Sequence, residues 1–563
     1  MIKHYPVEMK LDIKVPMRDG VELSADIYLP RSDGTDSGGP WPTVLMRTPY
    51  SNNVDVMIER GRMLANSGYA VVIQDVRGRW DSDGIYYAFH QEVEDGFDTQ
   101  EWVSNQPWCN GKIGMTGASY GGAVQWLSAP LAHPAVKCLV PRVMCADYYD
   151  GLMHPGGAFQ LNVMMTWGMR TNGRTGQSID YHNWTDAFRS LPVIDLDGSA
   201  GRDLPFWKDW LNHPSDDEYW GEVNITDQYD QIVAPAYIMG GWFDLYARDV
   251  FDEFVAMRAS SGADESRQTR LIVGPWPHRL AQSQKTGDVD FGANSLVDLD
   301  GEELRWFDYW LKGDETNIVD EPPLKLFIMG AKEWREEYEW PLARTDWQKW
   351  YLHSDGGANG LLGDGHLSRN SPQNESVDTF IYNPEFPVQT VGGNNCCSPE
   401  VVPWGPYDQR AVEMRPDVLV YSSEPLEQDM TVIGPIKVVL HAATDGVDTD
   451  WTAKLVDVSP GGYAMNLCDG IVRARYRESF QDPNLLTPNE VYKYEIRVGV
   501  TGNMFKAGHR VRLEISSSNF PRYDRNLNTG EDNGTSTEIR SAEQSVHHSA
   551  AHSSHILLPI VSV

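Results

Sequence analysis

Seven short, almost uninterrupted apolar runs punctuate residues 42–329, at 42–46, 69–73, 112–116, 136–140, 236–239, 270–273 and 325–329. A strand covered by helices on both faces reads in this way, whereas a half-solvated strand alternates apolar with polar residues. Helix-like stretches separate most of the runs, which is the β-α-β signature. The expectation is a doubly wound, mainly parallel sheet. Between about 146 and 229 the rhythm stops. That stretch is rich in Trp and Met, including Met164, Met165, Trp167, Trp184, Trp207, Trp210 and Trp220, and it interrupts the strand series. It is expected to be an inserted cap of helices and loops. From about 348 onward, short period-two runs such as 436–440, 451–455 and 510–515 alternate with turns rich in Gly, Pro and Asp, as in a β-sandwich or jelly roll. The expected domains are therefore 1–145 and 230–347 for the sheet, 146–229 for the cap and 348–563 for the β domain.

A chain of 563 residues exceeds what one hydrophobic core organises, in keeping with several domains. Its 20 Trp, 25 Tyr and 16 Phe argue for packed structure and against disorder. Asp and Glu outnumber Lys and Arg by 80 to 47, a formal charge of −33. Such a surface favours solubility and repels phosphate backbones and anionic lipid, so neither a nucleic-acid partner nor a membrane is expected. Nowhere do about 18 uncharged apolar residues run together to span a bilayer. The start, Met1 to Glu8, lacks the charged, then apolar pattern of a secretory signal, and a cytoplasmic location is expected. Six Cys in this length do not make a disulfide framework. The adjacent Cys396 and Cys397 are expected to be two reduced loop thiols, because no His or Cys stands at zinc-binding spacing around them.

Chemistry enters with Gly117-Ala118-Ser119-Tyr120-Gly121, a G-x-S-x-G between the run ending at Thr116 and the helix-like 123–127. In a strand–turn–helix setting this is the nucleophile elbow of an α/β-hydrolase: glycines allow the tight turn, and the serine hydroxyl stands above the carboxyl end of the sheet. The Tyr120 amide then faces the developing oxyanion. A serine needs a base and the base an orienting carboxylate, in chain order Ser, acid, His for this fold. Asp244 follows the run 236–239 and His278 follows 270–273, both just past strand ends, where sites of open α/β sheets form. A loop Asp or a lone His is ordinarily structural; three such residues in the right order and setting indicate a Ser119–His278–Asp244 triad.

Other clusters carry less. His547, His548, His552 and His555 invite a metal reading but have no acidic neighbours in sequence, so structural or solvent roles are expected. Asp195-Leu196-Asp197-Gly198 and Asp298-Leu299-Asp300-Gly301 fall short of a calcium loop. Asp75-Val76-Arg77-Gly78 is expected to make a structural ion pair. No dinucleotide, P-loop or H-E-x-x-H pattern is present, so no cofactor and no metal are expected.

The chain resembles the cocaine-esterase and NonD-like hydrolases, relatives of the α-amino-acid ester hydrolases, glutaryl acylases and Xaa-Pro dipeptidyl-peptidases. The resemblance rests on Arg47-Thr48-Pro49-Tyr50, Asp75-Val76-Arg77-Gly78 with Ser82 and Gly84, 95–102, Gln106-Pro107-Trp108, 117–122, Gly241-Trp242-Phe243-Asp244, 274–278, 507–510 and 516–521. It spans nearly the whole chain. It implies an α/β-hydrolase sheet with an inserted helical cap and a C-terminal jelly roll. It also implies an oxyanion hole made of the Tyr120 amide and the Tyr50 hydroxyl. The amino-acid ester hydrolases hold a substrate ammonium with acids just after the triad Asp, but here Leu245-Tyr246-Ala247 follows. An uncharged or aromatic acyl group is therefore expected, with Tyr246 and Trp167 as substrate contacts. The expected activity is cleavage of a small-molecule carboxylic ester through an acyl-enzyme. An amide or peptide hydrolase of the acylase or Xaa-Pro type is the alternative, and an inactive carbohydrate-binding protein a remote one. A homo-oligomer is compatible with the sequence.

Overall fold

The computed structural model describes residues 5–31, 39–179, 182–260, 262–373 and 376–562; the start at Met1–His4 read above lies outside them. All seven apolar runs form strands. With β1 (Val7–Pro16), β2 (Glu22–Pro30), β3 (Trp41–Thr48), β4 (Ala70–Asp75), β5 (Cys109–Ala118), β6 (Val136–Arg142), β7 (Tyr237–Gly241), β8 (Arg270–Gly274), β9 (Leu324–Ile328) and β10 (Glu333–Glu337), the order across the sheet is β1-β2-β4-β3-β5-β6-β7-β8-β9-β10. The stretch from β4 to β9 is parallel throughout. The three strands with no counterpart among the apolar runs are β1, β2 and β10, the antiparallel strands at the two ends of the sheet. Their solvated or polar positions explain the weak signal: β1 carries exposed Asp12, and β2 buries Ser24 and Asp26. By contrast every residue of β4 and β8 is buried.

From β3 the chain crosses through α1 (Asp55–Asn66) to β4, then returns through α2 (Glu92–Ser104) to β5 on the other side of β3. The strand order reverses there, and a crevice opens beyond the carboxyl ends of β3 and β5. The chain enters α3 (Tyr120–Ser128) directly from β5.

Between β6 and β7 lies the helical insertion, whose principal described helix is α4 (Leu161–Thr171). Its Trp167, Trp207 and Trp210 pack in one apolar cluster with Tyr120 and Tyr246, so the cap shares a core with the crevice. The second sheet starts at Thr345–His353, has eleven strands, and ends with His555–Val561. In Met430–Thr444, Ile436, Val438, Leu440 and Ala442 are buried while Lys437, Val439 and His441 are partly solvated, the expected period of two. No described helix is long and apolar enough to cross a membrane.

Buried charge joins the β domain to the cap. Arg473 sits 2.9 Å from Asp450 and 2.7 Å from Asp524, and Asp524 accepts the Phe159 amide of the cap at 3.0 Å. Removing the cation strands two buried carboxylates, and breaking such a pair costs about 3–5 kcal/mol. Arg473→Met is therefore expected to lower the unfolding midpoint clearly, read by calorimetry or denaturant titration; an unchanged midpoint would show that the cluster contributes nothing to stability.

The structural ion pair expected of Asp75-Val76-Arg77-Gly78 forms through Arg77, and one expectation about the C-terminal histidines is corrected. Arg77 does not pair with Asp75 but with Asp95 at 2.6 Å and Asp19 at 2.7 Å; Asp75 instead accepts the Asn52 amide at 2.7 Å, and burial lifts its carboxyl to about 7. Arg77 lies in the turn beyond the end of β4, where its side chain reaches Asp95 on α2 and Asp19 in the turn before β2. His548 does have an acid: Asp378, 170 residues away in sequence, lies 2.9 Å from it in the buried core of the β domain.

Candidate active site

Ser119 occupies the turn between β5 and α3 with φ 58° and ψ −125°, a backbone region that disfavours an L side chain. The turn is over-determined. The Ser119 amide donates to the Arg142 carbonyl at 2.9 Å, and the Gly122 and Ala123 amides donate back to the Ser119 carbonyl at 2.7 and 3.0 Å. A Cβ on Gly117 would fall 2.7 Å from the Gly121 carbonyl oxygen, so only glycine lets strand and helix approach this closely. The hydroxyl stands half-buried at the mouth of the crevice.

Asp244 and His278 leave the adjacent strands β7 and β8. Their loops are pressed together: a Cβ on Gly241 would lie 2.2 Å from the Trp276 carbonyl oxygen. The buried Asp244 carboxylate accepts the Tyr246 amide at 3.0 Å through Oδ1, and Oδ2 lies 2.6 Å from His278 Nδ1. This holds the ring with Nε2 free for other contacts. His278 and Ser119 line one cavity of about 530 Å³, although no hydrogen bond joins them. Catalytic hydrogen bonds of substrate-free enzymes are often long and tighten only around bound substrate.

Tyr50 follows β3 and brings its hydroxyl 3.5 Å from Ser119 Oγ. The Trp167 indole, which can only donate, gives its N–H to the Tyr50 oxygen at 3.1 Å. The Tyr50 proton is thereby left to point elsewhere, toward the serine. The Tyr120 amide bears on the same oxygen, so the two expected oxyanion donors converge. Burial raises the Tyr50 hydroxyl above its ordinary range and keeps it protonated. The D-V-R-G-R-W stretch after β4 fastens this loop: Arg79 Nε and the Trp80 indole donate to the Pro49 carbonyl at 2.9 and 3.0 Å. Beneath the elbow, the Tyr120 hydroxyl donates to Glu92 at 2.9 Å, and Glu92 in turn lies 2.9 Å from Arg47 at full burial. Burial raises the Glu92 carboxyl even beside that cation.

A second, smaller cavity reaches the other side of Ser119, lined by Phe89, Met144, Leu152, Met164, Trp167 and Tyr246 among others, and by no charged side chain. Both expected substrate contacts thus face it. The larger cavity is also lined by Arg170, Arg279 and Trp404.

Sequence reasoning missed the contribution of the β domain. Asn394 donates its side-chain amide to the carbonyls of Trp242 and Asp244 at 2.8 and 2.9 Å, tying the acid loop from 150 residues away. Next to it, Cys396 and Cys397 are not two reduced thiols: they are disulfide-bonded to each other and line the site. The odd doublet was the available signal; its position against His278 was not readable, because the approach comes from another domain. Cys109, Cys138, Cys145 and Cys468 are free and buried.

Comparison with known proteins divides the chain in two. The X-Pro dipeptidyl-peptidase (S15 family) pattern matches residues 19–279, and the X-Pro dipeptidyl-peptidase C-terminal non-catalytic domain matches 316–557. Cocaine esterase of Rhodococcus sp. (strain MB1 Bresler) is 36% identical, covering 98% of each chain. An α-amino acid ester hydrolase of known structure superposes with a TM-score of 0.84 at 27% identity, covering 100% of this chain and 97% of that one. An aminopeptidase from the marine sediment archaeon Thaumarchaeota archaeon gives the same four values.

Proposed function

This chain belongs to the cocaine esterase family of serine hydrolases, and we propose that it cleaves small carboxylic esters with an uncharged acyl group, using Ser119 as nucleophile, His278 as base and Asp244 as orienting acid. The observation that carries this reading is convergence: the strained Ser119, the Asp244-bound His278 and the two donors Tyr50 and Tyr120 all meet at one crevice. Ser119 Oγ attacks the ester carbonyl as His278 Nε2 takes its proton. The oxyanion forms between the Tyr50 hydroxyl and the Tyr120 amide. The His278 proton then passes to the leaving alcohol, and water repeats the sequence on the acyl-enzyme. The larger cavity, about 530 Å³, has room for a small ester, and the smaller, about 20 Å³, marks an uncharged apolar wall beside Ser119. An ammonium-bearing acyl group finds no counter-charge in the smaller cavity. The proposal places the enzyme in the cytoplasm with no nucleic-acid or membrane partner.

A fluorophosphonate probe tests the nucleophile: labelling is expected on Ser119, and labelling elsewhere or none would refute the assignment. The second reading, an amide or peptide hydrolase, is favoured by the S15 match and the aminopeptidase neighbour. Rates on matched p-nitrophenyl esters, anilides and Xaa-Pro amides separate the two, with esters expected to be faster.

Tyr50→Phe keeps the ring but removes the O–H, and loss of one oxyanion donor typically lowers kcat by ~10²–10³. The expected change falls on kcat more than on KM; a kcat within a few-fold of the parent would remove Tyr50 from the oxyanion hole.

A further inference from the structure

We propose that Cys396 and Cys397 are a thiol–disulfide switch which, once reduced, completes with His278 a three-ligand site for a thiophilic divalent metal such as Zn²⁺, and that metal in this site silences the hydrolase. Both sulfurs and a ring nitrogen of His278 lie within 4.8 Å of one another. His278 Nδ1 is committed to Asp244 at 2.6 Å, so Nε2 is the nitrogen left for a metal. Zinc takes sulfur at about 2.3 Å and imidazole at about 2.0 Å, and structures with three protein ligands leave the fourth position to water. Those bond lengths ask for ligand atoms about 3.5 Å apart, a closure of the order of 1 Å for the imidazole and an opening of the S–S pair.

Three further observations favour a built site. Asp244 on the far nitrogen of His278 is the carboxylate–histidine arrangement that orients and strengthens a metal-binding imidazole. The loop is anchored on both sides of the pair independently of the S–S bond, by Asn394 on the Trp242 and Asp244 carbonyls and by Arg170 on the Cys397 carbonyl at 2.7 Å. The thiols therefore stay facing His278 after reduction. Cys397 is half-buried and lines the larger cavity, through which a reductant and a metal ion can arrive.

The redox step balances with a dithiol donor. The Cys396–Cys397 S–S bond breaks, an S–S bond forms in the donor, and the donor's two protons pass to the two cysteines. Metal binding then releases those two protons, because thiolate is the ligand form. In the disulfide state neither sulfur offers a thiolate, so the site exists only after reduction. Silencing rests on the reading of His278 as base: the nitrogen that must accept the Ser119 proton is the one the metal occupies. Metal capture itself rests on geometry alone.

The full chain reduced with dithiothreitol and desalted without air should show six thiols under denaturant, against four before reduction. The reduced protein is expected to bind one Zn²⁺ that the oxidised protein does not, and Co²⁺ in its place should give a thiolate-to-cobalt charge-transfer band. Ester turnover should fall with Zn²⁺ by ~10²–10⁴-fold, the usual contribution of a general base, and return with EDTA. A Cys396→Ser/Cys397→Ser variant, or reduced parent protein alkylated with iodoacetamide, should keep its own rate whether or not Zn²⁺ is added. A thiol count fixed at four, absence of the cobalt band, metal uptake without loss of rate, or equal inhibition of the blocked proteins would each overturn the proposal. An oxidised enzyme without esterase activity would instead sink the triad reading, and the cobalt band would still decide the metal site.

Discussion

Ser119→Ala is expected to lower kcat for an activated ester by about 10⁶-fold, the loss seen when a triad nucleophile is removed. It should leave the unfolding midpoint close to that of the parent. The two expectations have separate physical grounds. Catalysis is lost because no other hydroxyl shares the elbow position between the oxyanion donors and His278. Stability is kept because alanine retains the Cβ, and the strained φ of 58° is imposed by backbone bonds to Arg142, Gly122 and Ala123 rather than by the hydroxyl. Oxyanion donors and binding should still leave ~10³–10⁴-fold catalysis over water. Steady-state kinetics beside a thermal melt check both halves. Turnover near that of the parent would end the nucleophile assignment, whereas lost activity with a collapsed melt would mean the substitution had damaged the fold.

Asp244→Asn should cost about 10⁴-fold in kcat, with little change in KM. Asp244 Oδ1 accepts the Tyr246 amide and Oδ2 faces His278 Nδ1 at 2.6 Å. An Asn must keep its oxygen toward the Tyr246 N–H, since its NH₂ group cannot accept a hydrogen bond. Its NH₂ then faces His278 Nδ1 and favours the tautomer with that nitrogen bare. The ring proton moves to Nε2, which can no longer take the proton of Ser119. The loop itself should hold, because Asn394 grips the backbone carbonyl of residue 244 and not its side chain. A kcat within about tenfold of the parent would assign the orienting role to another group.

The parallel strands were legible because burial on both faces leaves a continuous apolar run, a property written in consecutive residues. Ser119, Asp244 and His278 were legible for a related reason: each follows directly on such a strand, so topology alone carries it to the same end of the sheet. The antiparallel strands β1, β2 and β10 were not, since a solvated or polar face breaks the run. Tyr50, the proposed oxyanion donor, came only through resemblance. A tyrosine after a proline is an ordinary loop residue until Trp167, 117 positions on, donates to its oxygen.

What the sequence by itself determined is thus the part of the molecule set by local periodicity and chain order: the sheet, the inserted cap, the β domain and the Ser119–Asp244–His278 series. What only the tertiary structure decided lies at contacts between segments far apart in the chain, both between domains and inside the β domain. Asn394 on the acid loop, the Cys396–Cys397 bond beside His278, Asp378 against His548 and the Asp450–Arg473–Asp524 cluster join residues up to 170 positions apart. Such partners share no spacing or period along the chain. They are selected when distant segments pack together and each buried polar group must find a hydrogen bond or an opposite charge in whatever it meets.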